Sequence, residues 1–212
     1  MKRVTAAYDP SVFEVGSLKQ AKEIILTPEG IGTEERWERE TPWLSDLIVD
    51  KLGITAEHTV LDYGCGVGRV ARTLIERTGC RVIGVDISRT MRVLAPLYVD
   101  SPRFRVLEEG EAIPKVDLAL SVWVLQHAVK PAEDIGRIRN ALKPLGRLFV
   151  LNNHLRAVPA RLKNSKDWIS DTEDLPALLK EGFVELSRGE LPRELAPAPG
   201  PEATWWATYE VA

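Results

Sequence analysis

Three closely spaced glycines after a short apolar strand constrain the fold of this chain more than any other feature. The apolar pair Val60 and Leu61 is followed by Asp-Tyr-Gly-Cys-Gly-Val-Gly, which places the glycines at positions 64, 66 and 68. Because glycine has no Cβ atom, a run of this kind lets the backbone turn sharply and approach a ligand closely. The stretch therefore predicts a loop between a strand and a helix that holds a ligand.

The residues after the glycines complete a strand–helix–strand unit. Apolar side chains recur at helical spacing from Val70 to Ile75, and Gly79 is typical of a helix end. A second apolar strand over residues 81–85 ends in Asp86. In a nucleotide-binding sheet, an acid at this place accepts hydrogen bonds from the ribose hydroxyls. The unit therefore predicts one half of a nucleotide-binding α/β sheet.

The spacing of the glycines indicates which nucleotide is bound. A dinucleotide loop follows G-x-G-x-x-G, and its last glycine lets the helix pack closely on the strand. Here Arg69 occupies that last position, and Gly68 makes the pattern G-x-G-x-G. Asp62 precedes Gly64 by two residues, where an acid repels a pyrophosphate and suits an ammonium group. The loop therefore favours a nucleotide that carries an amino group over a nicotinamide or flavin dinucleotide.

Length, charge and cysteine content limit the class of protein. The chain has 212 residues, with 28 basic and 31 acidic side chains and a net charge of −3, which argues against wholesale coating by nucleic acid. Its two cysteines, Cys65 and Cys80, are predicted to be small buried residues rather than disulfide partners or zinc ligands. The sequence shows no apolar run typical of a signal peptide or a membrane span. We therefore expect one soluble, cytoplasmic domain with an N-terminal extension.

Several motifs resemble those of one enzyme family. Residues 61–68 resemble the first motif of the class I S-adenosylmethionine-dependent methyltransferases, and residues 85–88 resemble the second. The run from Trp123 to His127 is similar to the family motif that follows the fourth strand. Residues 143–147 resemble the Lys-Pro-Gly-Gly turn of the family, with a leucine in place of the first glycine. The resemblance implies S-adenosylmethionine as the cofactor.

The predicted elements fit the fold that this resemblance implies. Besides the two strands of the glycine-loop unit, five apolar runs are predicted as strands, at residues 104–107, 116–122, 148–151, 183–190 and 204–211. The last strand is expected to pair back antiparallel. We interpret residues 152–170 as a long polar connection that is functional or partly helical. The expected fold is a doubly wound α/β domain with a seven-stranded, mostly parallel sheet, an antiparallel C-terminal strand and an N-terminal helical segment.

The N-terminal quarter is predicted to be mostly helical. Residues 1–16 lack periodicity and indicate an extended or mobile arm. Helix-start signals follow at Ser17, Thr33 and Thr41. The helices are separated by residues that break them, namely Pro28, Gly30 and Gly53. We divide the chain into this arm with its helices, residues 1–41, which the resemblance implies is a lid or substrate wall, and a methyltransferase domain, residues 42–212.

The resemblance also implies which residues hold the cofactor. They are Asp62, Gly64, Cys65, Gly66, Asp86, Ile87, Glu109, Gly110 and Ser121. Asp62 and the Gly64 carbonyl face the ammonium group, Asp86 takes the ribose hydroxyls, and Ile87 packs on the adenine. Glu109 and the Gly110 amide take the adenine edge, and the Ser121 backbone lies beside the methionine moiety. Glu111 is the second choice for the adenine acid, and a solvated acidic turn is the alternative.

Methyl transfer from a sulfonium is an in-line displacement, so a protein contributes mainly orientation and desolvation, and a general base is optional. His127 is the candidate base because it follows the fourth strand at the carboxyl edge of the sheet, where ligands bind. The alternative is a structural or solvent-facing histidine. Trp37, Trp123 and His154 are candidate substrate residues. The alternative for Trp37, as for Trp43, is that it anchors the N-terminal helical segment onto the core. Asn152 and Asn153 supply too few oxygen ligands for a metal-dependent site, so no metal is predicted.

These features predict methyl transfer to a small-molecule acceptor. The lack of overall positive charge and the tryptophans of the N-terminal segment favour a small, partly apolar acceptor over a polymer. A non-catalytic, cofactor-binding partner subunit is one alternative. An RNA or protein methyltransferase is another, since residues 156–166 are basic, but the Asn-Pro-Pro-aromatic motif of base amino-methylating enzymes is absent. The sequence leaves the acceptor atom and the oligomeric state open.

Overall fold

A computed structural model describes residues 7–26, 32–162, 165–195, 200 and 203–212. The helix breakers predicted at Pro28 and Gly30 lie outside these residues. The strands are β1 (Ala7–Tyr8), β2 (Thr59–Tyr63), β3 (Arg81–Val85), β4 (Phe104–Val106), β5 (Val116–Val122), β6 (Leu142–Asn153), β7 (Val158–Leu162), β8 (Ser165–Ile169), β9 (Phe183–Gly189) and β10 (Thr204–Val211). The α-helices are α1 (Leu18–Ile25), α2 (Thr33–Leu52), α3 (Arg69–Thr78), α4 (Arg89–Val99), α5 (Pro131–Ala141) and α6 (Leu175–Lys180). Within this part of the chain, no helix has the length and apolar character that a membrane span requires.

The main sheet has seven strands in the order β4-β3-β2-β5-β6-β10-β9. The five strands from β4 to β6 run parallel, whereas β10 pairs antiparallel with both β6 and β9. The predicted fold class is therefore confirmed. The strands predicted at residues 81–85, 116–122 and 204–211 have the predicted bounds.

Helices cover both faces of this sheet because its central strands are apolar on both sides. Val60 and Leu120 lie in one core cluster with apolar residues of α2 and α3. Leu61 and Ala119 lie in a second cluster with apolar residues of α5 and α6. Neighbouring positions of one strand thus face opposite layers, as strand geometry requires. This double winding leaves the carboxyl edge of the parallel strands open for a ligand.

One helix replaces the two that were predicted between Thr33 and Gly53. Helix α2 continues through Pro42, so the predicted start at Thr41 is wrong, and the boundary drawn between residues 41 and 42 falls inside this helix. Proline cannot donate the backbone hydrogen bond, but the Thr41 hydroxyl donates to the Trp37 carbonyl at 2.6 Å across this turn. Buried side chains on both sides of the proline hold the helix together. Gly53 ends it with a φ of 65°, as predicted.

The polar connection predicted at residues 152–170 contains a β-hairpin. Strands β7 and β8 pair antiparallel, and β1 adds to β7, giving a second sheet in the order β1-β7-β8. The neglected signal was alternation, since Val158 and Ala160 are buried two residues apart. The N-terminal arm is therefore part of a sheet over residues 7–8, where an extended or mobile segment was expected.

Candidate active site

A cavity of about 1070 Å³ opens at the carboxyl ends of β2, β3 and β5. This volume lies at the upper end of the roughly 300–1,000 Å³ that pockets for one small ligand occupy. Of the sequence-predicted residues, ten line it: Asp62, Gly64, Cys65, Gly66, Asp86, Ile87, Glu109, Gly110, Trp123 and His127. The fold thus brings together residues that are as far as 65 positions apart in the chain, from Asp62 to His127.

The glycine loop lies tightly against the strand ends. Its three glycines have φ angles of 82°, 54° and 82°, a region that side chains disfavour. A Cβ atom on Gly64 would lie 2.3 Å from a methyl group of Val124. The amides of Gly64 and Cys65 both donate to the Val85 carbonyl, at 2.8 and 2.9 Å. The loop is therefore folded across the end of β3, which exposes the Gly64–Gly66 backbone to the cavity.

Asp86 connects this loop to the start of α4. One carboxylate oxygen accepts from the Gly66 amide at 2.7 Å, and the other accepts from the Ser88 amide at 2.9 Å. Burial raises the pKa of Asp86, and these two amides oppose that effect. A carboxylate can accept about four hydrogen bonds, so two acceptor positions are left for vicinal hydroxyl groups.

Asp62 lies beneath the loop with one oxygen unsatisfied. It is 3% exposed, and its Oδ2 atom has no hydrogen-bond partner in the described part of the chain. Burial chiefly, and then the charge of Asp86, raise the pKa of Asp62 to about 7, whereas Arg69 lowers it. A buried, unsatisfied carboxylate is stabilised by a cation that approaches from the cavity. This environment fits the ammonium group of an amino acid.

Two arginines that sequence reasoning did not assign to the site also line the cavity. Arg36 and Arg69 both bind the fully buried carboxylate of Glu40, at 3.2 and 3.1 Å. The Trp123 indole nitrogen donates to the same carboxylate at 3.1 Å. Guanidinium groups in the cavity lining suit a carboxylate, which they can bind through charge-assisted hydrogen bonds. The only signal in the sequence was Arg69 in place of the dinucleotide glycine.

The cavity lining also includes acids and an exposed apolar side chain. Ile87 is 54% exposed and presents an apolar surface on which a flat base can pack. The Glu109 side chain is 87% exposed, and its carboxylate lies 3.7 Å from the Arg92 guanidinium. Glu111, the second choice, has both oxygens engaged, one by Arg105 and the other by the Glu108 amide. Glu109 is therefore the freer of the two acids for an adenine amino group.

Three aromatic rings lie together in the lining of the cavity. The ring of His127 lies 5.9 Å from that of Phe13 and 5.1 Å from that of Trp168, between ring centroids. Phe13 and Trp168 are 6.1 Å apart. We call Phe13, His127 and Trp168 the aromatic wall. Neither Phe13 nor Trp168 was predicted, because the arm and the hairpin that carry them were read as an irregular arm and a loop.

Three predicted site residues do not line this cavity. Trp37 is 6% exposed, and its indole nitrogen donates to the Tyr98 hydroxyl at 3.3 Å, so it anchors α2 to α4. Ser121 is fully buried, and its backbone belongs to the β5–β6 ladder. His154 lines a separate cavity of about 240 Å³ together with Asp171 and other polar residues. Trp37 therefore anchors the helical segment, which was the alternative to a substrate role.

The described residues contain no cluster of three or more His, Cys, Asp or Glu side chains that could hold a metal ion. The polar and apolar groups that line the cavity suit an organic ligand. The cavity is lined by the Gly64–Gly66 backbone with Asp86, by the unsatisfied acid Asp62 with Arg36 and Arg69, and by the apolar side chain of Ile87. Ribose, ammonium, carboxylate and adenine are the groups that this set complements. The residues present therefore fit S-adenosylmethionine.

Fold and site together define a doubly wound α/β domain with a glycine loop at the carboxyl edge of its sheet. A family model described as "Methyltransferase domain" matches residues 35–190, which is well over half of the chain. The chain belongs to this family, the class I S-adenosylmethionine-dependent methyltransferases, and S-adenosylmethionine is the family's cofactor.

Individual relatives agree with this membership. The chain is 36% identical over 104 residues to N-demethylindolmycin N-methyltransferase from Streptomyces griseus, across 45% of this chain and 44% of the relative. It is 33% identical over 97 residues to the ubiquinone biosynthesis O-methyltransferase of Bradyrhizobium diazoefficiens, across 43% and 38%. The chain spans half the length, or less, of such curated relatives.

A solved structure supports the fold. The N-methyltransferase NodS from Bradyrhizobium japonicum WM9, in complex with S-adenosyl-L-homocysteine, superposes with a TM-score of 0.58 at 15% identity. The match covers 84% of this chain and 95% of that chain. At this level of identity, the likeness supports the architecture of the domain alone.

Proposed function

We propose that the protein transfers the methyl group of S-adenosylmethionine to a small acceptor molecule that binds against the aromatic wall. One observation carries this proposal. A single cavity is lined both by the glycine loop with Asp86 and by the rings of Phe13, His127 and Trp168. A cofactor and an acceptor that share one cavity can react in line, and holding them there supplies much of the catalysis.

The residues have distinct tasks in this proposal. Asp62 and the Gly64 carbonyl bind the ammonium group, and Arg36 with Arg69 binds the carboxylate. Asp86 binds the ribose, while Ile87, Glu109 and the Gly110 amide bind the adenine. When bound, the cofactor supplies a methyl group already activated by its sulfonium. The protein then orients the acceptor against that methyl and excludes water.

Coverage of the cavity favours a small acceptor. The N-terminal arm contributes Tyr8 and Phe13 to the lining. The arm is attached at both sides, since Glu14 accepts from the Arg89 and Thr90 amides at 2.9 and 3.0 Å, and Asp9 binds Arg161 at 2.9 Å. A cavity walled in this way admits a small molecule more readily than a folded polymer. The names of the N-demethylindolmycin and ubiquinone relatives also refer to small molecules.

The experiment tests cofactor and acceptor separately. Calorimetry should show S-adenosylmethionine and S-adenosylhomocysteine binding at micromolar strength, with no binding of NAD. Transfer of a labelled methyl group should then be measured to a small-molecule library, to total RNA and to unfolded protein. We expect label in the small-molecule fraction. Label confined to RNA or protein would overturn the small-acceptor proposal, and binding without any transfer would support a non-catalytic subunit.

A further inference from the structure

The side chain of Gln126 has one defined orientation. The backbone amide of Asn153 lies 2.5 Å from the Gln126 Oε1 atom, and a backbone amide can only donate. The oxygen of the Gln126 amide must therefore face Asn153, and its NH₂ group must face the other way. Gln126 is 4% exposed, so the surrounding protein holds this arrangement.

This orientation fixes the tautomer of His127. The Gln126 NH₂ nitrogen lies 3.0 Å from His127 Nε2, so Nε2 accepts and carries no proton. On the other side, His127 Nδ1 lies 2.6 Å from the Ala157 carbonyl oxygen, which can only accept, so Nδ1 carries the proton. Two backbone groups, at Asn153 and Ala157, thus require the same Nδ1–H tautomer independently.

The surroundings also keep His127 neutral. Burial chiefly lowers its pKa, the hydrogen bond to Ala157 raises it, and the Arg156 guanidinium lowers it. Four ion pairs lie on the neighbouring elements, namely Arg156–Asp171, Arg137–Asp134, Lys130–Glu133 and Arg161–Asp9, and Glu14 beside Phe13 is bound by the Arg89 and Thr90 amides. A proton on Nε2 would point at the Gln126 NH₂ group, so two hydrogen-bond donors would face each other without an acceptor.

The other ionisable groups near the aromatic wall are not free bases. Burial, followed by the charges of Asp134 and Asp86, raises the pKa of Tyr8, which therefore stays a neutral phenol. Asp134 accepts from the Tyr63 hydroxyl at 2.5 Å and lies 3.7 Å from Arg137. In the described part of the chain, His127 Nε2 and Asp134 Oδ1 are thus already engaged. Asn153 Oδ1 lines the cavity without a hydrogen-bond partner among the described residues, but it is an amide oxygen, which accepts a hydrogen bond without acting as a base.

We propose that Gln126 is a positioning residue that keeps the His127 lone pair occupied, and that the acceptor reacts through a nitrogen atom that is already neutral when it binds. This inference rests on the proposed function. The nitrogen lone pair forms the new bond to carbon while the carbon–sulfur bond breaks and its electron pair stays on sulfur. The positive charge passes to nitrogen, which loses its proton to water after release. A hydroxyl acceptor, in contrast, needs a base at the moment of attack.

The tautomer is tested without knowledge of the acceptor. The chain has three histidines, so nitrogen-15 spectra of histidine-labelled protein can be assigned with a His127→Phe variant. We expect a protonated Nδ1 and an unprotonated Nε2 at about pH 7 to 8.5, with a second proton taken up only below the ordinary pKa of 6.5. In Gln126→Glu, the carboxylate still accepts from Asn153 but turns an acceptor toward Nε2, so His127 should become protonated on both nitrogens. Gln20→Glu, on the exposed face of α1, should leave the spectrum unchanged.

Acceptor chemistry is tested with arylamines and phenols that share the same ring systems. At saturating S-adenosylmethionine, we expect arylamines, which stay neutral throughout this range, to be methylated at a rate that changes less than about twofold between pH 6 and 8.5. Phenols should be methylated at least about 100-fold more slowly than arylamines, because a general base usually contributes a factor of that size to the rate. A phenol rate that rises through pH 6 to 7 and falls about 100-fold in His127→Phe would overturn the inference, as would a proton on Nε2 of the wild type.

The two proposals fail in different ways. Methylation of small phenols through His127 would leave the proposed function standing and remove the inference. Methyl transfer confined to RNA or protein would remove the proposed function, and with it the acceptor class. In that case the spectrum of Gln126→Glu still decides the role of Gln126, since an unchanged His127 signal would show that Gln126 does not set the tautomer.

Discussion

Asp86 supports the cofactor site in two ways, through the ribose and through the glycine loop that it ties to α4. Asp86→Ala removes a charged acceptor for two hydroxyl groups and leaves the Gly66 and Ser88 amides unpaired. We expect S-adenosylhomocysteine affinity to fall by about tenfold or more, equivalent to roughly 1.5–3 kcal/mol, in calorimetry. Asp50→Ala, an exposed acid on α2, is the control. An unchanged dissociation constant in a folded Asp86→Ala variant would place the ribose elsewhere.

Asp62 should make cofactor binding depend on pH. Its pKa of about 7 means that the carboxyl is largely protonated at lower pH, yet it must be ionised to bind an ammonium group. Binding therefore releases a proton, and affinity should rise as the pH goes from about 5.5 to 7.5, by at most about tenfold per unit. Titrations of wild type and Asp62→Asn at several pH values check this. The variant should show a weaker slope, and an equal slope would exclude Asp62 as the source.

The same carboxyl has the opposite effect on the ligand-free fold. Its folded pKa lies above its ordinary value of 3.8, so the folded state keeps a proton that the unfolded chain has lost. The contribution of Asp62 to the free energy of unfolding therefore falls as the pH rises from about 4 to about 7. Saturating cofactor should reverse this trend, because the ammonium group favours the charged carboxyl.

Leu145 occupies a backbone conformation that suits glycine. Its φ angle is 62°, and its side chain is 74% exposed, so little packing is lost if it is removed. The left-handed conformation costs a non-glycine residue roughly 1–2 kcal/mol, whereas glycine adds about 0.5–1 kcal/mol of unfolded-chain entropy. We expect Leu145→Gly to raise the free energy of unfolding by about 0.5–1 kcal/mol in urea titrations. Leu97→Gly, a leucine 76% exposed within α4, should lower it by about 1 kcal/mol.

Sequence reasoning located the residues whose position depends on local structure. The glycine loop and Asp86 could be placed from spacing alone, since each follows a strand directly. Arg36 and Arg69 could not, because only the packing of α2 on α3 brings both to Glu40. The engagement of His127 depends likewise on distant residues, namely Asn153 at the end of β6, which orients Gln126, and Ala157 just before β7.

At the scale of elements, Glu14 fixes the N-terminal arm to the start of α4. Its carboxylate accepts from the Arg89 and Thr90 amides and from the Thr90 hydroxyl, at 2.9, 3.0 and 2.7 Å. Glu14→Ala should weaken this attachment by about 1 kcal/mol, as the loss of a capping acid usually does. Hydrogen exchange should then speed up at residues 89–90 and in the arm. Glu23→Ala, an exposed acid on α1, should change neither, and unaltered exchange in Glu14→Ala would show that other contacts hold the arm.

The attachment should also depend on pH. Burial raises the pKa of Glu14, but the hydrogen bonds from Thr90 and Arg89 outweigh it and hold the pKa below its ordinary value. The stabilisation is therefore present above the unfolded pKa and is lost as the pH falls through the folded one. Exchange in the arm should accelerate under acidic conditions in the wild type and lose this dependence in Glu14→Ala.

Helices and strands were predicted correctly where the pattern of apolar residues was strong. They were predicted incorrectly where contacts with residues distant in the sequence determine the local structure. Strands β3, β5 and β10 have the predicted bounds because their apolar runs end at turn residues. Pro42 was read as a helix start, yet burial on both sides of it keeps α2 continuous. The β7–β8 hairpin was missed because its polar composition is typical of a loop and its pairing with β1 is distant in sequence.

At the scale of the whole molecule, Glu40 joins the N-terminal helix to the rest of the domain. Its carboxylate, buried completely, binds Arg36 of its own helix, Arg69 at the start of α3 and the Trp123 indole beyond β5. These three segments reach the cavity from different parts of the fold. Glu40 therefore links global stability to the geometry of the cofactor site.

Removing the charge of Glu40 should destabilise the whole domain. Glu40→Gln removes the buried negative charge that pairs with both Arg36 and Arg69, and breaking a buried ion pair in this way costs about 3–5 kcal/mol. We expect the free energy of unfolding in urea to fall by that amount, with one cooperative transition. Glu38→Gln, an exposed acid on the same helix, should change it by less than about 0.5 kcal/mol. A loss below about 1 kcal/mol in Glu40→Gln would mean that the two arginines find other partners or water, and that α2 is held mainly by its apolar face.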